Sequence, residues 1–197
     1  MNGSRIDSDD TSRLSLFIGV GVAVVAIAGA LYFVFLGHSA LSETIGFDAN
    51  RPLPSDAVLR KRLKPEQYHI VRENGTETPF KNDYWNNTRT GIYVDVITGE
   101  PLFTSLDKIE SVTGQLTFTK PVSKDLLTEK VDSSHNMQRT EVRARRSDSH
   151  LGHVFDDPTS PTHQRYSVNS AAFRFIPLEK MEKEGYGQYQ SLLDQKK

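Results

Sequence analysis

An uncharged, mostly apolar segment near the N-terminus most constrains what this chain can fold into. Residues 14–36 give 23 consecutive positions, LSLFIGVGVAVVAIAGALYFVFL, without a charged side chain. This length exceeds the ~20 residues that a helix needs to cross a bilayer. The segment also lacks the polar face that a helix packed on a globular domain normally carries. We therefore predict a transmembrane helix over 14–36, preceded by a short tail over 1–13.

The flanking positive charges predict the direction of this helix. Arg5 and Arg13 precede it, and the next Lys or Arg after it is Arg51. By the positive-inside rule the tail stays in the cytoplasm, and the rest of the chain lies in the periplasm or at the cell exterior. The alternative is a cleaved signal peptide, whose apolar core normally spans only ~7–15 residues. Its best cleavage position, after Ala40, has His38 where a small residue is expected.

The remainder of the chain divides into a linker over 37–55 and a folded domain over 56–197. The linker is polar and contains Gly46, Pro52 and Pro54. Ser55 and Asp56 then form a cap for a short amphipathic helix that Pro65 ends or restarts. After about residue 76, short β-type segments dominate, at 91–97, 139–145, 152–155 and 172–176. They predict an antiparallel, mainly β fold or open barrel with peripheral helices.

Composition narrows the classes of function. The net charge of −1 gives no general attraction for nucleic acid, and 37% hydrophobic residues are enough for one core. The chain contains no cysteine. A disulfide framework, a thiolate zinc site and thiol catalysis by this chain itself are therefore excluded.

A series of short sequence blocks runs in order from about Leu63 to about Pro177. They read TETPF, YW, GIYV, PLF, FTKP, SHNM, RTEVR, SHLGHVFDD, RYSVNS and RFIP. In this order they resemble the methionine-R-sulfoxide reductases, in which the last blocks read HLGHVFDD and RYCxNS. The resemblance implies two antiparallel sheets with small helices around them, and the reduction of methionine-R-sulfoxide in peptides.

The departures from the family pattern fall on the chemistry. The family's nucleophilic cysteine aligns with Ser167, and its resolving cysteine aligns with Thr113. Gln115 replaces a tryptophan that packs against the substrate methyl group. Zinc-binding members carry four cysteines where this chain has other residues, namely Asp95, Thr98, Ala144 and Ser147. No metal or other cofactor is therefore expected, and we hypothesise that Asp95 pairs with Arg143 or Arg145 instead.

Other site residues implied by the resemblance are retained. His150 and His153 would donate hydrogen bonds to the sulfoxide oxygen, and Asp157 would orient one of them. Arg165 would supply positive charge, Asn169 a further donor, and Phe155 part of an apolar wall.

The serine hydroxyl leads us to expect an inactive or strongly impaired domain, because serine stays protonated and cannot become a sulfenic acid. The domain would retain a pocket for oxidised methionine or bind a partner protein. A Cys→Ser variant of an active reductase is an alternative, although Gln115 favours natural decay. A serine hydrolase using Ser167, His150 or His153, and Asp157 is a remote alternative, since Ser167 lacks the G-x-S-x-G setting.

Overall fold

Eight strands form two antiparallel sheets in the computed structural model, which describes residues 46–194. The strands are β1 (Gly91–Asp95), β2 (Pro101–Thr104), β3 (Leu116–Phe118), β4 (Leu127–Asp132), β5 (Arg139–Ala144), β6 (His150–Asp156), β7 (Gln164–Val168) and β8 (Phe173–Pro177). The three-stranded sheet has the order β2-β1-β8, and the five-stranded sheet has the order β3-β7-β6-β5-β4. This confirms the prediction of a mainly β fold with two antiparallel sheets.

Within residues 46–194, three short α-helices lie at the ends of the domain. They are α1 (Asp56–Arg62), α2 (Pro65–Glu73) and α3 (Leu178–Met181). Pro65 begins α2, because its fixed φ and missing N–H suit the first helical position. The buried face of α2, formed by Tyr68, Ile70 and Val71, packs against β6 and the 3₁₀ turn Ser170–Ala172.

Aromatic side chains from both sheets form the centre of the core. Phe103 of β2 and Phe118 of β3 are stacked with ring centroids 4.5 Å apart. Tyr93 of β1 contacts Phe118 edge to face at 5.0 Å and packs on Phe175 of β8 at 4.8 Å. Such pairs add to the stabilisation from burial. The same cluster therefore holds the two sheets together.

The five-stranded sheet has one apolar and one polar face, as alternation along each strand requires. Val142, Val154, Tyr166 and Val168 belong to the core. The register between β5 and β6 shifts after Val142, which pairs with Gly152, while the next residue pairs with His150. One residue of β6 is therefore extra, which is a β-bulge. At φ +151°, a Cβ on Gly152 would lie 2.3 Å from the carbonyl oxygen of Ser167, so glycine is required here.

The N-terminal predictions fall largely outside the described residues. The predicted transmembrane segment 14–36 and the tail 1–13 lie there entirely. Within 46–194, no helix is long and apolar enough to cross a membrane. A second cluster of buried apolar side chains includes Ile92 and Tyr186. Phe47, in the described end of the predicted linker, packs against this cluster. The backbone carbonyl of Arg51 accepts a hydrogen bond from Arg146, so this part of the linker is packed on the domain.

Candidate functional site

A row of side chains crosses the polar face of the five-stranded sheet. Thr117, Ser167, His153, Glu141 and Lys130 are successive cross-strand partners on β3, β7, β6, β5 and β4. Directly opposed residues in an antiparallel sheet project to the same side and interact. Ser167 and His153 are therefore neighbours at the centre of this face.

Ser167 is buried, and its hydroxyl group is already engaged. Its Oγ donates a hydrogen bond to Oε1 of Gln115 at 2.8 Å. Gln115 is fixed in turn by its backbone N–H, which donates to the hydroxyl of Ser111 at 3.0 Å. Thr113, at the expected resolving position, is exposed, with its hydroxyl 3.4 Å from that of Ser111. The proton of Ser167 is thus directed at an amide oxygen and not at a base.

Each histidine of the site is paired with a carboxylate. Nδ1 of His150 lies 2.6 Å from Oε1 of Glu141, and Nε2 of His153 lies 2.7 Å from Oδ2 of Asp132. Burial lowers the pKa of His150, although Glu141 opposes this. Hydrogen bonds from Ser134 and from His153 hold the pKa of Asp132 well below its usual range. Burial thus favours the neutral form of His150, and Glu141 fixes the orientation of its ring.

Asp157 was expected to orient one of the histidines, but it binds other groups in the structure. Its Oδ1 accepts hydrogen bonds from the backbone N–H and the hydroxyl of Thr159, and its Oδ2 lies 3.5 Å from Nε of Arg165. Asp157 therefore closes a local turn next to Arg165. The orienting carboxylates are Glu141 and Asp132. Glu141 stands in the RTEVR block but was given no role, and Asp132 lies outside all the blocks. The alternation of Arg139, Glu141 and Arg143 in β5 was the available signal.

Arg165 and Phe155 form the other end of the polar face. They are cross-strand partners on β7 and β6, and the guanidinium carbon lies 5.0 Å from the ring centroid. This is within the range of a cation–π contact. The ring of Phe155 also lies 6.3 Å from that of His153. A positive charge, an aromatic ring and an imidazole are thus brought together beside Ser167.

Both polar side-chain atoms of Asn169 are used in hydrogen bonds inside the domain. Asn169 is 2% exposed. Its Nδ2 donates to the carbonyl of Leu151 at 3.1 Å, and its Oδ1 accepts from the N–H of Glu77 at 3.1 Å. The expected extra donor to a ligand is therefore an internal link between β6 and β7.

A polar cleft of about 390 Å³ lies on the histidine side of the face. Both histidines and both carboxylates line it, together with Asn74, Thr76, Val131, Ser133, Ser134 and Arg139. Nδ1 of His153 and Nε2 of His150 are the ring nitrogens outside the two carboxylate contacts. Each of these nitrogens accepts a hydrogen bond when its ring is neutral and donates one when the ring is protonated, so the cleft suits a small polar group.

The four positions at which zinc-binding members carry cysteines lie in two adjoining turns joined by hydrogen bonds. Oδ2 of Asp95 accepts from the N–H and hydroxyl of Thr98, at 3.1 and 2.7 Å, and its Oδ1 accepts from the hydroxyl of Ser149 at 3.1 Å. The hydroxyl of Ser147 donates to that of Ser149 at 2.8 Å, while Ala144 contributes no side-chain ligand. One carboxylate among hydroxyls does not suit zinc, which prefers thiolate and imidazole.

The hypothesised ion pairs of Asp95 are wrong. The guanidinium of Arg143 binds Glu141 at 2.6 Å and Asp148 at 2.7 Å. Arg145 donates to the carbonyls of Asp125 and Leu127. Asp95 is 1% exposed and uses hydroxyl and amide donors.

Two comparisons with known proteins identify the family of the chain. A family model described as the SelR domain matches residues 63–177. The chain is 51% identical over 139 residues to the "Peptide methionine sulfoxide reductase MsrA/MsrB" of Vibrio cholerae serotype O1. The aligned region covers 71% of this chain and 37% of that relative. The chain therefore belongs to the methionine-R-sulfoxide reductase family, and it spans little more than a third of the relative's length.

Proposed function

We propose that the domain binds methionine-R-sulfoxide in peptides and turns it over very slowly or not at all. The observation that carries this proposal is the hydrogen bond from Ser167 to Gln115, in a chain without cysteine. Reduction of a sulfoxide by this family's route needs a thiolate that attacks sulfur and takes up the oxygen. A serine hydroxyl bound to an amide oxygen supplies neither the nucleophile nor the oxygen acceptor.

The retained residues support binding. His150 and His153 line the cleft, and Arg165 stacks on Phe155 on the same face of the sheet. A sulfoxide oxygen is a strong hydrogen-bond acceptor, and its carbon substituents need an apolar surface. A histidine in its protonated form offers the donor, and Phe155 offers the apolar surface, within one face of one sheet.

The proposal extends to location. We propose that residues 14–36 anchor the chain in a membrane with the domain outside the cytoplasm. The support is the length of the uncharged segment and the two arginines before it.

A hydrolase is not favoured by the contacts. A serine nucleophile needs a base that takes its proton, with a third group that orients the base. Here the Ser167 hydroxyl donates to Gln115, and Asp157 binds Thr159. The chain therefore has the serine, histidine and aspartate of a hydrolase triad, but the serine proton is not directed at a histidine.

The test is calorimetric titration of the full chain with one peptide in three forms: methionine-R-sulfoxide, methionine-S-sulfoxide and methionine. We expect saturable binding of the R-sulfoxide form alone. His153→Gln should weaken it about tenfold, since one hydrogen bond is lost. His69→Gln, which changes an exposed histidine on α2, is the matched control. Equal affinity for all three peptides, or none for any, would refute the proposal.

A further inference from the structure

The carboxylate of Glu77 is buried and takes no part in the contacts described above. Glu77 is 5% exposed. Its Oε2 accepts a hydrogen bond from the backbone N–H of Ser170, and its Oε1 accepts one from that of Ala171, both at 2.6 Å. Its own N–H donates to Asn169. One side chain thus holds the whole turn that follows β7.

This turn is connected to the histidine strand. Asn169 donates to the carbonyl of Leu151 twice, through its backbone N–H at 2.8 Å and through its side chain at 3.1 Å. Leu151 is the residue directly after His150. The position of His150 therefore depends on the turn that Glu77 holds.

The same turn is connected to the partner of Ser167. The hydroxyl of Ser170 donates to Oδ1 of Asn82 at 2.6 Å, and Nδ2 of Asn82 donates to the carbonyl of Gly114 at 2.8 Å. Gly114 directly precedes Gln115, and its carbonyl also accepts from the N–H of Phe80 at 2.9 Å. A path of hydrogen bonds, continued by the peptide bond between Asn169 and Ser170, therefore connects Gly114 to Leu151.

We propose that Glu77 is a positioning residue, whose carboxylate sets the relative placement of His150, Ser167 and Gln115 by holding the Asn169–Ala171 turn. Among the described contacts it reaches the site only through this turn. The proposal rests on the proposed function only in treating the polar face as a ligand site, because the network itself is independent of any ligand.

Glu77 is the one residue of this path that can change its charge. Burial raises its pKa to about 7, although the two amide hydrogen bonds oppose this. The charged and titratable side chains that line the same region are Lys64, Glu66, Lys81, Asp83, Tyr84 and Arg174. A protonated carboxyl keeps full acceptor capacity on one oxygen only. Protonation therefore weakens one of the two amide bonds, and the turn loosens as pH falls through about 7.

A rise in pH has opposite effects on the order of the turn and on the stability of the fold. The pKa of Glu77 is raised in the folded protein, so the folded state binds this proton more tightly than the unfolded state does. Its contribution to stability is complete below the usual glutamate pKa and is lost as pH rises through about 7. The ordered turn is thus formed at a cost in the stability of the fold.

The test is a pH titration of the ¹⁵N-labelled full chain by nuclear magnetic resonance, from about pH 5 to about pH 9. The amide signals of Ser170 and Ala171 should shift together with a midpoint of about 7, and Leu151 and Gln115 should report the same midpoint. Glu77→Gln keeps the shape of the side chain without the ionisation, and should remove this transition. Glu179→Gln, an exposed change on α3, should leave it intact.

A transition confined to Ser170 and Ala171 would overturn the proposal, as would its persistence in Glu77→Gln. The titration of the unaltered chain decides the first point even where the variant fails to fold. Affinity for the methionine-R-sulfoxide peptide is a separate readout. It should fall about tenfold below the transition, as expected for one misplaced hydrogen bond, and should not depend on this transition in Glu77→Gln. If the amide signals share the transition but no peptide binds, the proposed function alone is refuted. If the peptide binds but the signals do not share the transition, this inference alone is refuted.

Discussion

The contact between Ser167 and Gln115 determines what the polar face can do chemically. The hydroxyl donates to the amide oxygen, while Nε2 of the neighbouring His153 is held by Asp132. A hydroxyl becomes a useful nucleophile only when an adjacent base takes its proton. At the scale of single residues, two carboxylate-bound histidines lie beside a hydroxyl that is already bound to an amide oxygen.

Restoring sulfur should restore part of the activity. We expect Ser167→Cys to give dithiothreitol-driven reduction of a methionine-R-sulfoxide substrate where the unaltered chain gives none. Adding Gln115→Trp should raise kcat/KM by about tenfold to a hundredfold more, because a poorly positioned substrate costs up to about that much. The assay follows product by chromatography, with Ser167→Ala as the control.

Two results would contradict this prediction. Turnover by the unaltered chain that Ser167→Ala abolishes would show that the serine acts as a nucleophile. A double variant no faster than Ser167→Cys would show that the residue at 115 does not position the substrate.

The sequence motif predicted the central residues of the face but not their carboxylate partners. His150, His153 and Ser167 stand within two short blocks and were identified together. Glu141 and Asp132 lie 9 and 21 residues before the histidines they bind. Strand register alone brings them together, and register is set by the pairing of the whole sheet.

At the scale of elements, the hydrogen bonds around Asp95 join the turn after β1 to the turn after β5. Thr98 and Ser149 are its donors, and Ser147 extends the network. Arg72 of α2 donates to the carbonyl of Ser147 at 2.8 Å. A helix and both sheets therefore meet at this network.

Asp95→Ala should lower the free energy of unfolding by about 2–3 kcal/mol, because it leaves several buried donors without an acceptor. Urea unfolding followed by circular dichroism measures this. Asp156→Ala, at an exposed position at the end of β6, should change it by less than about 0.5 kcal/mol. If Asp95→Ala also changed the free energy of unfolding by less than about 0.5 kcal/mol, water would be replacing the carboxylate.

Metal should have no part in this stability. A chelator is expected to leave the thermal midpoint unchanged, because the side chains at Asp95, Thr98, Ala144 and Ser147 do not make a thiolate site. Elemental analysis that finds stoichiometric zinc, with unfolding on its removal, would contradict this.

Apolar character decided which elements were predictable. β1 and β8 lie in the three-stranded sheet and are almost wholly buried, so their apolar runs were visible in the sequence. β4 lies at the edge of the five-stranded sheet and is largely exposed, so no alternation marks it. Pro65 was open to two interpretations, and the structure shows that it starts a second helix.

At the scale of the whole molecule, the prediction concerns the N-terminal segment. A chain held by residues 14–36 should stay with the membrane during alkaline carbonate extraction, because the segment is long enough to span the bilayer. Protease added to intact spheroplasts should digest the domain and spare a cytoplasmic marker. Replacing Val24 and Val25 with lysine should abolish membrane retention, since each charge at a helix centre costs about 3 kcal/mol.

Protection of the domain in sealed spheroplasts would show that the orientation is reversed. A mature, soluble protein that starts near Leu41 would show that the segment is a cleaved signal peptide. Arg5→Ala with Arg13→Ala tests the two charges on which the orientation depends.

The single extra residue of β6 has a geometric consequence. Residues three apart on a regular strand project to opposite sides, so His150 and His153 would be separated by the thickness of the sheet. The bulge at Leu151–Gly152 adds one to the count and returns both imidazoles to the same side. The bulge is thus part of the candidate site, because it places both histidines on one face. Deleting one residue there would carry one imidazole into the apolar core without altering either histidine.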